Sequence, residues 1–507
     1  MQHRLRFQCA YNEFHMRAGV RKRVVLFFPE THLRRSDDGW CLPPFSLLAI
    51  SGPLVQAGFE VVIVDGRLDP DYLQRVLAEA EDAICVGISA LTGNQIRQAL
   101  EVSTAIKTQI PALPVVWGGY HPTLMPDQTI ANPAVDILVR GQGELAFSQL
   151  VEALAAGGSL RGIPGLTFKE AGRIVFNEDS VFTDVNQFPP MPFSLVDFNR
   201  HLPDLGFARR TLSYVSSQGC PHHCEFCAES TAYKVRWSGL SPERVAQDLE
   251  ALTRRYEVDG VILVDNNFFV NESRVQGICR EIIRRGLSFR WAAQGRADCV
   301  KKLSDETFGL LKQSGFSVFH VGAESGSDRQ LQEVSKNSSR QSTLDCARAV
   351  KDHGLHISFG FIFGFPGETP EDIEQNFSLM EEVTDIQGAY DCIYHFYAPS
   401  PGSPLLEASS QGGDSGHSLL EDWIGYNTTR GVTPEVDASY IDRIKRRTDY
   451  FYPFAQPNFM FRERQTRSLL RGLAFQLLHR MNRFRYRFRY YALPVDWWCY
   501  RKLRGVL

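Results

Sequence analysis

Three cysteines stand close together, in the segment Ser217-Gln218-Gly219-Cys220-Pro221-His222-His223-Cys224-Glu225-Phe226-Cys227, which has the spacing C-x₃-C-x₂-C. Thiolates so placed can hold three corners of a four-iron cluster, which ordinarily takes a fourth cysteine. No fourth is positioned to serve, so one iron would stay open to chelate a substrate or cofactor. A structural zinc site is the competing reading. Zinc favours four closed protein ligands, and His222 and His223 sit inside a loop too short for either to complete a tetrahedron. The other cysteines, Cys9, Cys41, Cys85, Cys279, Cys299, Cys346, Cys392 and Cys499, are isolated and read as small packed hydrophobes. An odd total of eleven in a long chain without a secretion signal argues for reduced thiols rather than a disulfide framework.

The elements that must position this cluster alternate regularly. Strands are expected near Thr211–Ser216, Gly260–Val264, Phe289–Ala293, Ser317–Val321, His356–Ile362 and Cys392–Tyr397, with helical segments between them. Six strand–helix units make a partial (β/α)6 barrel of the TIM type, whose chemistry sits at strand C-terminal ends. The cysteines directly follow its first strand. An earlier series, 23–156, alternates in the same way: strand Val24–Phe28, helix Pro44–Ala57, strand Glu60–Asp65, helix 71–81, strand Ala83–Ile88, helix 93–108, strand Pro114–Trp117, strand Val135–Val139 and helix 144–156. That is a doubly wound, Rossmann-like α/β domain. Residues 1–22 read as an arm. Residues 157–206 read as a linker, with a hairpin around Glu170–Arg173 and a Pro-rich stretch, Phe188–Pro192, that cannot be helix interior. The barrel spans 207–403, and 404–507 is a mainly helical C-terminal extension with a Ser- and Gly-rich loop at 408–416.

The cysteine segment, with the aromatic Phe226 before its last cysteine, resembles the signature of the radical S-adenosylmethionine (SAM) family. The resemblance covers roughly residues 23–405. It implies a [4Fe–4S] cluster on Cys220, Cys224 and Cys227 whose open iron chelates SAM. Electron transfer then yields methionine and a 5′-deoxyadenosyl radical that abstracts hydrogen from an unactivated carbon. Gly360-Phe361-Ile362-Phe363-Gly364-Phe365-Pro366-Gly367-Glu368-Thr369 looks like the family's fifth-strand motif, which puts Ile362, Gly364, Pro366 and Gly367 beside the adenine. Read alone, it is a tight strand-to-helix turn with Thr369 capping the helix that Pro370 opens. Val321–Ser327 matches the fourth-strand segment, where Glu324 and Ser325 meet the ribose or methionine of SAM; a carboxylate there can accept from both ribose hydroxyls. Gln294 and Arg296, and Asp265-Asn266-Asn267, end neighbouring strands, where capping of the next helix is the alternative use. Lys336 is a candidate contact to the SAM carboxylate, set against a solvated surface lysine.

The preceding α/β domain resembles a cobalamin-binding domain. Ser89-Ala90-Leu91 follows its third strand and Gly118-Gly119 its fourth, with 26 residues between Leu91 and Gly118. The glycines would let backbone approach the nucleotide tail of cobalamin. Gly118–Thr123 and Val139–Glu144 also resemble segments of cobalamin-binding radical enzymes. The loop Pro29–Pro43 departs from the pattern: it lacks D-x-H-x-x-G, and His32 alone does not supply it, so histidine ligation of cobalt is in doubt. His121 either contacts cobalamin or satisfies a neighbouring carbonyl. A cofactor-free Rossmann-like domain is the bland alternative.

Composition is that of an ordinary soluble protein, 43% hydrophobic and 22% charged. No N-terminal signal and no apolar run near the roughly 20 residues of a membrane span is evident, which predicts the cytoplasm. The net charge of −3 hides an asymmetry, for residues 461–507 carry eleven arginines and one lysine against Glu463 and Asp496. Arginine alternates there with aromatics, as in Arg483-Phe484-Arg485-Tyr486-Arg487-Phe488. Such a tail suits peripheral contact with anionic lipid or packing on the acidic body; without an accompanying nucleic-acid-binding fold, no nucleic-acid partner is expected.

The two domains together imply a cobalamin-dependent radical SAM C-methyltransferase. In that chemistry one SAM methylates cobalamin, a second supplies the radical, and the substrate radical collects the methyl group. An oxidative cyclase or rearrangement enzyme with the same cofactors is the second reading, and a non-catalytic cobalamin sensor or scaffold the third. A methylthiotransferase is disfavoured, because Cys9, Cys41 and Cys85 form no second cysteine triad. The implied partners are a reductant such as flavodoxin or ferredoxin and a small, hydrophobic substrate.

Overall fold

A computed structural model describes residues 22–30, 41–388, 391–409, 418–426 and 437–451, with scattered positions from 477 to 498. The N-terminal arm, His32 and most of the tail lie outside the described residues. The first domain runs β1 (Arg23–Phe28), α1 (Phe45–Gln56), β2 (Glu60–Asp65), α2 (Tyr72–Ala80), β3 (Ala83–Ser89), α3 (Asn94–Gln109), β4 (Val115–Gly118), α4 (Tyr120–Leu124), α5 (Pro126–Ala131), β5 (Ile137–Val139) and α6 (Gly143–Ala156). β1 to β5 are parallel, as their nearly unbroken apolar runs require of strands buried on both faces.

The hairpin in the expected linker belongs to this sheet. β6 (Leu166–Glu170) and β7 (Arg173–Phe176) add to it antiparallel, giving the order β2-β1-β3-β4-β5-β6-β7. An isolated hairpin is marginal in water. Here Leu166 and Phe168 are buried in the main core, so pairing with β5 completes what the hairpin lacks.

The second domain begins with β8 (Thr211–Tyr214), β9 (Ser217–Gly219), α7 (Ala228–Ala232), β10 (Trp237–Gly239), α8 (Pro242–Tyr256), β11 (Gly260–Leu263), α9 (Glu272–Arg284) and β12 (Arg290–Arg296). It continues with α10 (Ala297–Val300), α11 (Asp305–Gln313), β13 (Phe316–Glu324), α12 (Asp328–Glu333), α13 (Arg340–Asp352), β14 (His356–Phe363), α14 (Pro370–Gln387) and β15 (Cys392–Phe396). Six parallel strands form the half-barrel order β15-β14-β13-β12-β11-β8, while β9 and β10 pair separately beside it. Ser241 caps α8, and Thr369 with Asp372 forms a capping box on α14.

One apolar cluster joins both sheets, from Val24 and Phe147 to Phe359 and Ile444. The extension after β15 contributes α15 (Pro404–Ser409) and α16 (Ala438–Phe451). Ile444 of α16 is fully buried, and Arg447 lies 3.8 Å over the Phe377 ring. Leu420 and Trp423 instead join the core on the other face of the first sheet.

Candidate functional site

The cysteine loop leaves β9 through Gly219, whose φ of +73° only glycine adopts freely. A Cβ there would collide with the Arg236 carbonyl. Behind the loop, the buried Asp265 carboxylate accepts from the Ser216 and Ser217 amides at 2.6 and 3.2 Å, and Arg274 donates to the Ser216 carbonyl at 2.7 Å. Asp265 is thus engaged in fixing the turn ahead of the cysteines. Asn267 caps its own turn through the Phe269 amide and meets His222 Nε2 at 3.3 Å.

Burial raises the Cys220 thiol and pushes Cys227 up to about 11, with Cys224 adding to both. Such thiols ionise only with cationic help. Arg296 donates from Nη1 to Cys224 Sγ at 3.2 Å, pairs with Asp298 at 2.9 Å, and also donates to the Lys336 carbonyl. Among the described residues no group of three or more His, Cys, Asp or Glu side chains is gathered tightly enough for a single metal ion. Three neighbouring thiols at C-x₃-C-x₂-C spacing, with the Arg296 guanidinium against one of them, fit a multi-iron cluster, whose binding would also displace their protons.

The barrel's concave wall rises beside this loop. Parallel register sets Gln294 next to His320 and Ser358, and Arg296 next to Gly322 and Gly360. Glu324 ends β13 with φ +61°, a left-handed conformation that costs a non-glycine residue and clusters at functional sites. Its Oε1 accepts from Lys336 Nζ at 2.7 Å, and a Cβ on Gly322 would collide with that oxygen. Lys336 is only 5% exposed and stands 6.0 Å over the Phe226 ring, so it is no surface lysine. Phe226, Ile362, Phe365 and Tyr397 form an apolar patch at the rim. Gly364 and Gly367, at φ +85° and +71°, turn the chain around Pro366 into α14. Ser325 lies elsewhere: fully buried, it bonds Gln330 at 2.7 Å and Asn376 at 2.8 Å inside the wall.

In the first domain a cavity of about 530 Å³ opens at the C-terminal ends of the strands, where doubly wound sheets bind ligands. Ser89, Leu91, Gly118 and Gly119 line it, with Arg67 and Phe147 among the remaining walls. Gly119 has φ +99°, and a Cβ on it would stand 3.0 Å from the Ala90 carbonyl. Glycines at 118, 119, 141 and 143 leave bare backbone along the cavity, the kind of cradle a large planar cofactor needs. His121 does not line it. The ring is fully buried, meets Thr92 Oγ1 at 3.0 Å, lies edge-on to Trp423 at 5.8 Å, and is driven down to about 4 by burial.

Several lining residues were not singled out from sequence. Gln218 and Tyr233, from the second domain, close the cavity opposite Glu144 and Tyr120. Tyr120 and Tyr233 meet edge-on at 6.3 Å, and burial raises the Tyr233 hydroxyl, with Glu229 and Glu144 adding to the rise. His320, in the same row as Gln294, is held neutral by burial, down to about 4. Closeness to Cys220 was the one signal available for Gln218; for Tyr233 there was none.

The family models agree with this division. The B12 binding domain matches residues 36–151 and the Radical SAM superfamily residues 214–380. An uncharacterised methyltransferase of Pyrococcus horikoshii, PH0819, is 32% identical over 76% of this chain and 82% of that protein. The anaerobic magnesium-protoporphyrin IX monomethyl ester cyclase of Synechocystis is 27% identical over 62% of this chain and 63% of its own length. Among solved structures, the radical SAM methyltransferase TsrM of Kitasatospora setae, with cobalamin and a [4Fe–4S] cluster bound, superposes with a TM-score of 0.62 at 19% identity, covering 76% of this chain and 74% of that one. The chain belongs to the radical SAM enzymes that carry a B12-binding domain, a family of methyltransferases with some cyclases, and its cofactors are a [4Fe–4S] cluster, SAM and cobalamin.

Proposed function

We propose that this enzyme transfers a methyl group to an unactivated carbon of a small, hydrophobic substrate. The observation that carries the reading is the shared wall: Gln218, two residues before Cys220, and Tyr233, six after Cys227, both line the first domain's cavity. Cluster loop and corrin cavity therefore face one another across a single seam. When bound, the cluster supplies the electron that cleaves SAM, and cobalamin carries the methyl group. Cys220, Cys224 and Cys227 hold the iron, with Arg296 offsetting thiolate charge. Glu324 and Lys336 orient the ribose and carboxylate of SAM, Gln294 continues that wall inward, and Phe226, Ile362 and the Gly364–Gly367 turn cover the adenine. Ser89, Leu91, Gly118 and Gly119 receive the corrinoid.

A substrate-free measurement tests it. Anaerobically reconstituted protein given SAM, hydroxocobalamin and reduced flavodoxin should release S-adenosylhomocysteine in proportion to bound corrinoid, besides 5′-deoxyadenosine. Only 5′-deoxyadenosine would leave the second reading, an oxidative cyclase, which the 27% identity to the Synechocystis enzyme favours. Flavodoxin or ferredoxin is the proposed reductant.

No described helix is long and apolar enough to cross a membrane. We place the enzyme in the cytoplasm, with its tail touching the membrane surface. Leu477, Met481, Phe484 and Phe488 are 62%, 46%, 65% and 62% exposed. Spaced i, i+4, i+7 and i+11, they would share one stripe of a helix at about 100° per residue, between Arg480 and Arg485, the sequence pattern of an interfacial helix. Full-length protein should sediment with vesicles containing phosphatidylglycerol and not with pure phosphatidylcholine. Equal sedimentation by Phe484→Glu/Phe488→Glu protein would remove the stripe from this role.

A further inference from the structure

The seam between the domains is joined by a chain of three buried or half-buried side chains. Gln142 donates from Nε2 to Gln218 Oε1 at 2.8 Å, and Gln218 Nε2 donates to Glu144 Oε1. Both ends of the Gln218 amide are therefore used, and both partners lie in the first domain. Gln142 and Glu144 are 6% and 4% exposed and flank Gly143 where α6 begins. Gln142 is pinned in turn: it donates to the Thr183 carbonyl at 3.1 Å and accepts from the Thr183 amide at 2.7 Å. The following residues tie to β10, with the Val185 amide donating to Ser238 Oγ at 3.1 Å and Asn186 Nδ2 to the Gly239 carbonyl at 3.0 Å.

On the other side, Gln218 is the middle residue of β9. Its neighbour Gly219 is seated against the Arg236 carbonyl so closely that no side chain fits. Displacement of the Gln218 side chain thus has little slack to absorb it before Cys220. Gln218 and Glu144 also form part of the cavity wall, so an occupant of the cavity packs against the same two groups that hold the cluster loop.

We propose that Gln218, clamped between Gln142 and Glu144, is a positioning residue that couples corrinoid occupancy of the first domain to the placement of Cys220. The inference rests on cobalamin as the occupant of this cavity and not on which reaction follows. A link of this kind is reciprocal: if a bound corrinoid helps to set the cluster loop, an assembled cluster must tighten corrinoid binding by the same factor. Buried Glu144 strengthens the link, because losing the Gln218 donor leaves a carboxylate with its bond unmade.

The test is hydroxocobalamin affinity, measured by equilibrium dialysis on full-length protein with the cluster installed and on iron-free protein. In the wild type the installed cluster should tighten binding by roughly fivefold or more. In Gln218→Ala the two affinities should coincide. The double exchange Glu144→Gln with Gln218→Glu keeps the geometry and reverses the donor. The new amide at 144 donates to the new carboxylate at 218, which still accepts from Gln142, so the cluster-dependent difference should return. No difference in the wild type, a difference that persists in Gln218→Ala, or an exchanged pair that fails to restore it would each overturn the proposal. Should Gln218→Ala fail to assemble iron, the exchanged pair decides alone: recovery of the difference supports the coupling, and its absence sinks it. S-adenosylhomocysteine release plays no part in these measurements, so failure of methyl transfer would leave the result standing.

Discussion

The barrel mouth and the first domain's cavity lie side by side and are built on opposite principles. At the mouth charges are prepaired: Lys336 with Glu324 at 2.7 Å, Arg296 with Asp298 at 2.9 Å, and the Arg296 guanidinium on the Cys224 thiol. Around the cavity the wall is mostly glycine backbone and apolar side chain, and its two ionic residues are both engaged, Arg67 with Asp65 at 2.6 Å and Glu144 with the Gln218 amide. Fixed, prepaired charges suit a polar, zwitterionic ligand such as SAM, which can take over their partners. Space beside bare glycine backbone suits a broad corrin. The difference teaches that the two sites should fail separately, and by different kinds of substitution.

The largest separation should come from Cys224→Ala. Removing one of three thiolates should abolish the brown iron–sulfur absorbance and all 5′-deoxyadenosine formation, while hydroxocobalamin remains bound with an affinity no weaker than that of wild-type protein freed of iron. Unchanged iron content would dismantle the assignment of this loop.

Gly119→Val is the converse. With φ at +99° and the Ala90 carbonyl 3.0 Å from the new Cβ, a β-branched residue must move the backbone. The strain is on the order of 1–3 kcal/mol before any ligand is considered. Hydroxocobalamin binding should fall by about a hundredfold or more, a loss of about 3 kcal/mol, with iron content kept. Retained binding would mean that the cavity takes its ligand elsewhere.

Lys336→Met probes the charged side more gently. It leaves Glu324 without its cation in a wall that is 14% exposed at that side chain. Breaking one partner of a buried pair costs about 3–5 kcal/mol if the remaining charge stays ionised, and less if it takes up a proton. SAM affinity by equilibrium dialysis should drop roughly tenfold or more, with hydroxocobalamin affinity unmoved. Equal damage to both ligands would erase the contrast between the sites.

How much of this was legible in the sequence follows from how local each feature is. The strands β12, β13 and β14, which carry Gln294, Glu324 and Ile362, announce themselves through apolar runs and the turns behind them, and their register then sets Gln294 and Arg296 on the concave face. The hairpin of β6 and β7 was visible as a hairpin, but its membership of the first sheet depends on an edge presented by β5, and no short-range pattern reports that. Lys336 could be named from sequence only as a candidate contact set against a solvated surface lysine, because a single long charged side chain carries no sign of the fold closing over it. Ser325 looks like a ligand contact by position, yet Asn376, 51 residues on, claims its hydroxyl. Gln218 becomes meaningful only when Gln142 and Glu144 arrive from another domain.

The smallest expected effect tests whether exclusion of charge extends behind the cavity wall, at His121. The ring is fully buried, and desolvation drives its pKa down to about 4 from the ordinary imidazole value of about 6.5. The unfolded chain therefore binds this proton more readily than the folded one. Stability from keeping the ring neutral is complete above about pH 6.5 and is lost as pH falls toward 4, a change of about 3 kcal/mol over that window. Other imidazoles lowered by desolvation, among them the half-buried His320, add the same sign. The informative quantity is thus the difference between wild type and His121→Gln in urea unfolding at several pH values. At pH 7.5 the variant should be less stable by about 1 kcal/mol for the lost Thr92 contact, and by pH 5 the two should converge or cross. A constant difference across the range would mean that His121 admits a proton in the folded state, and that the neutral character of the first domain ends at the cavity wall.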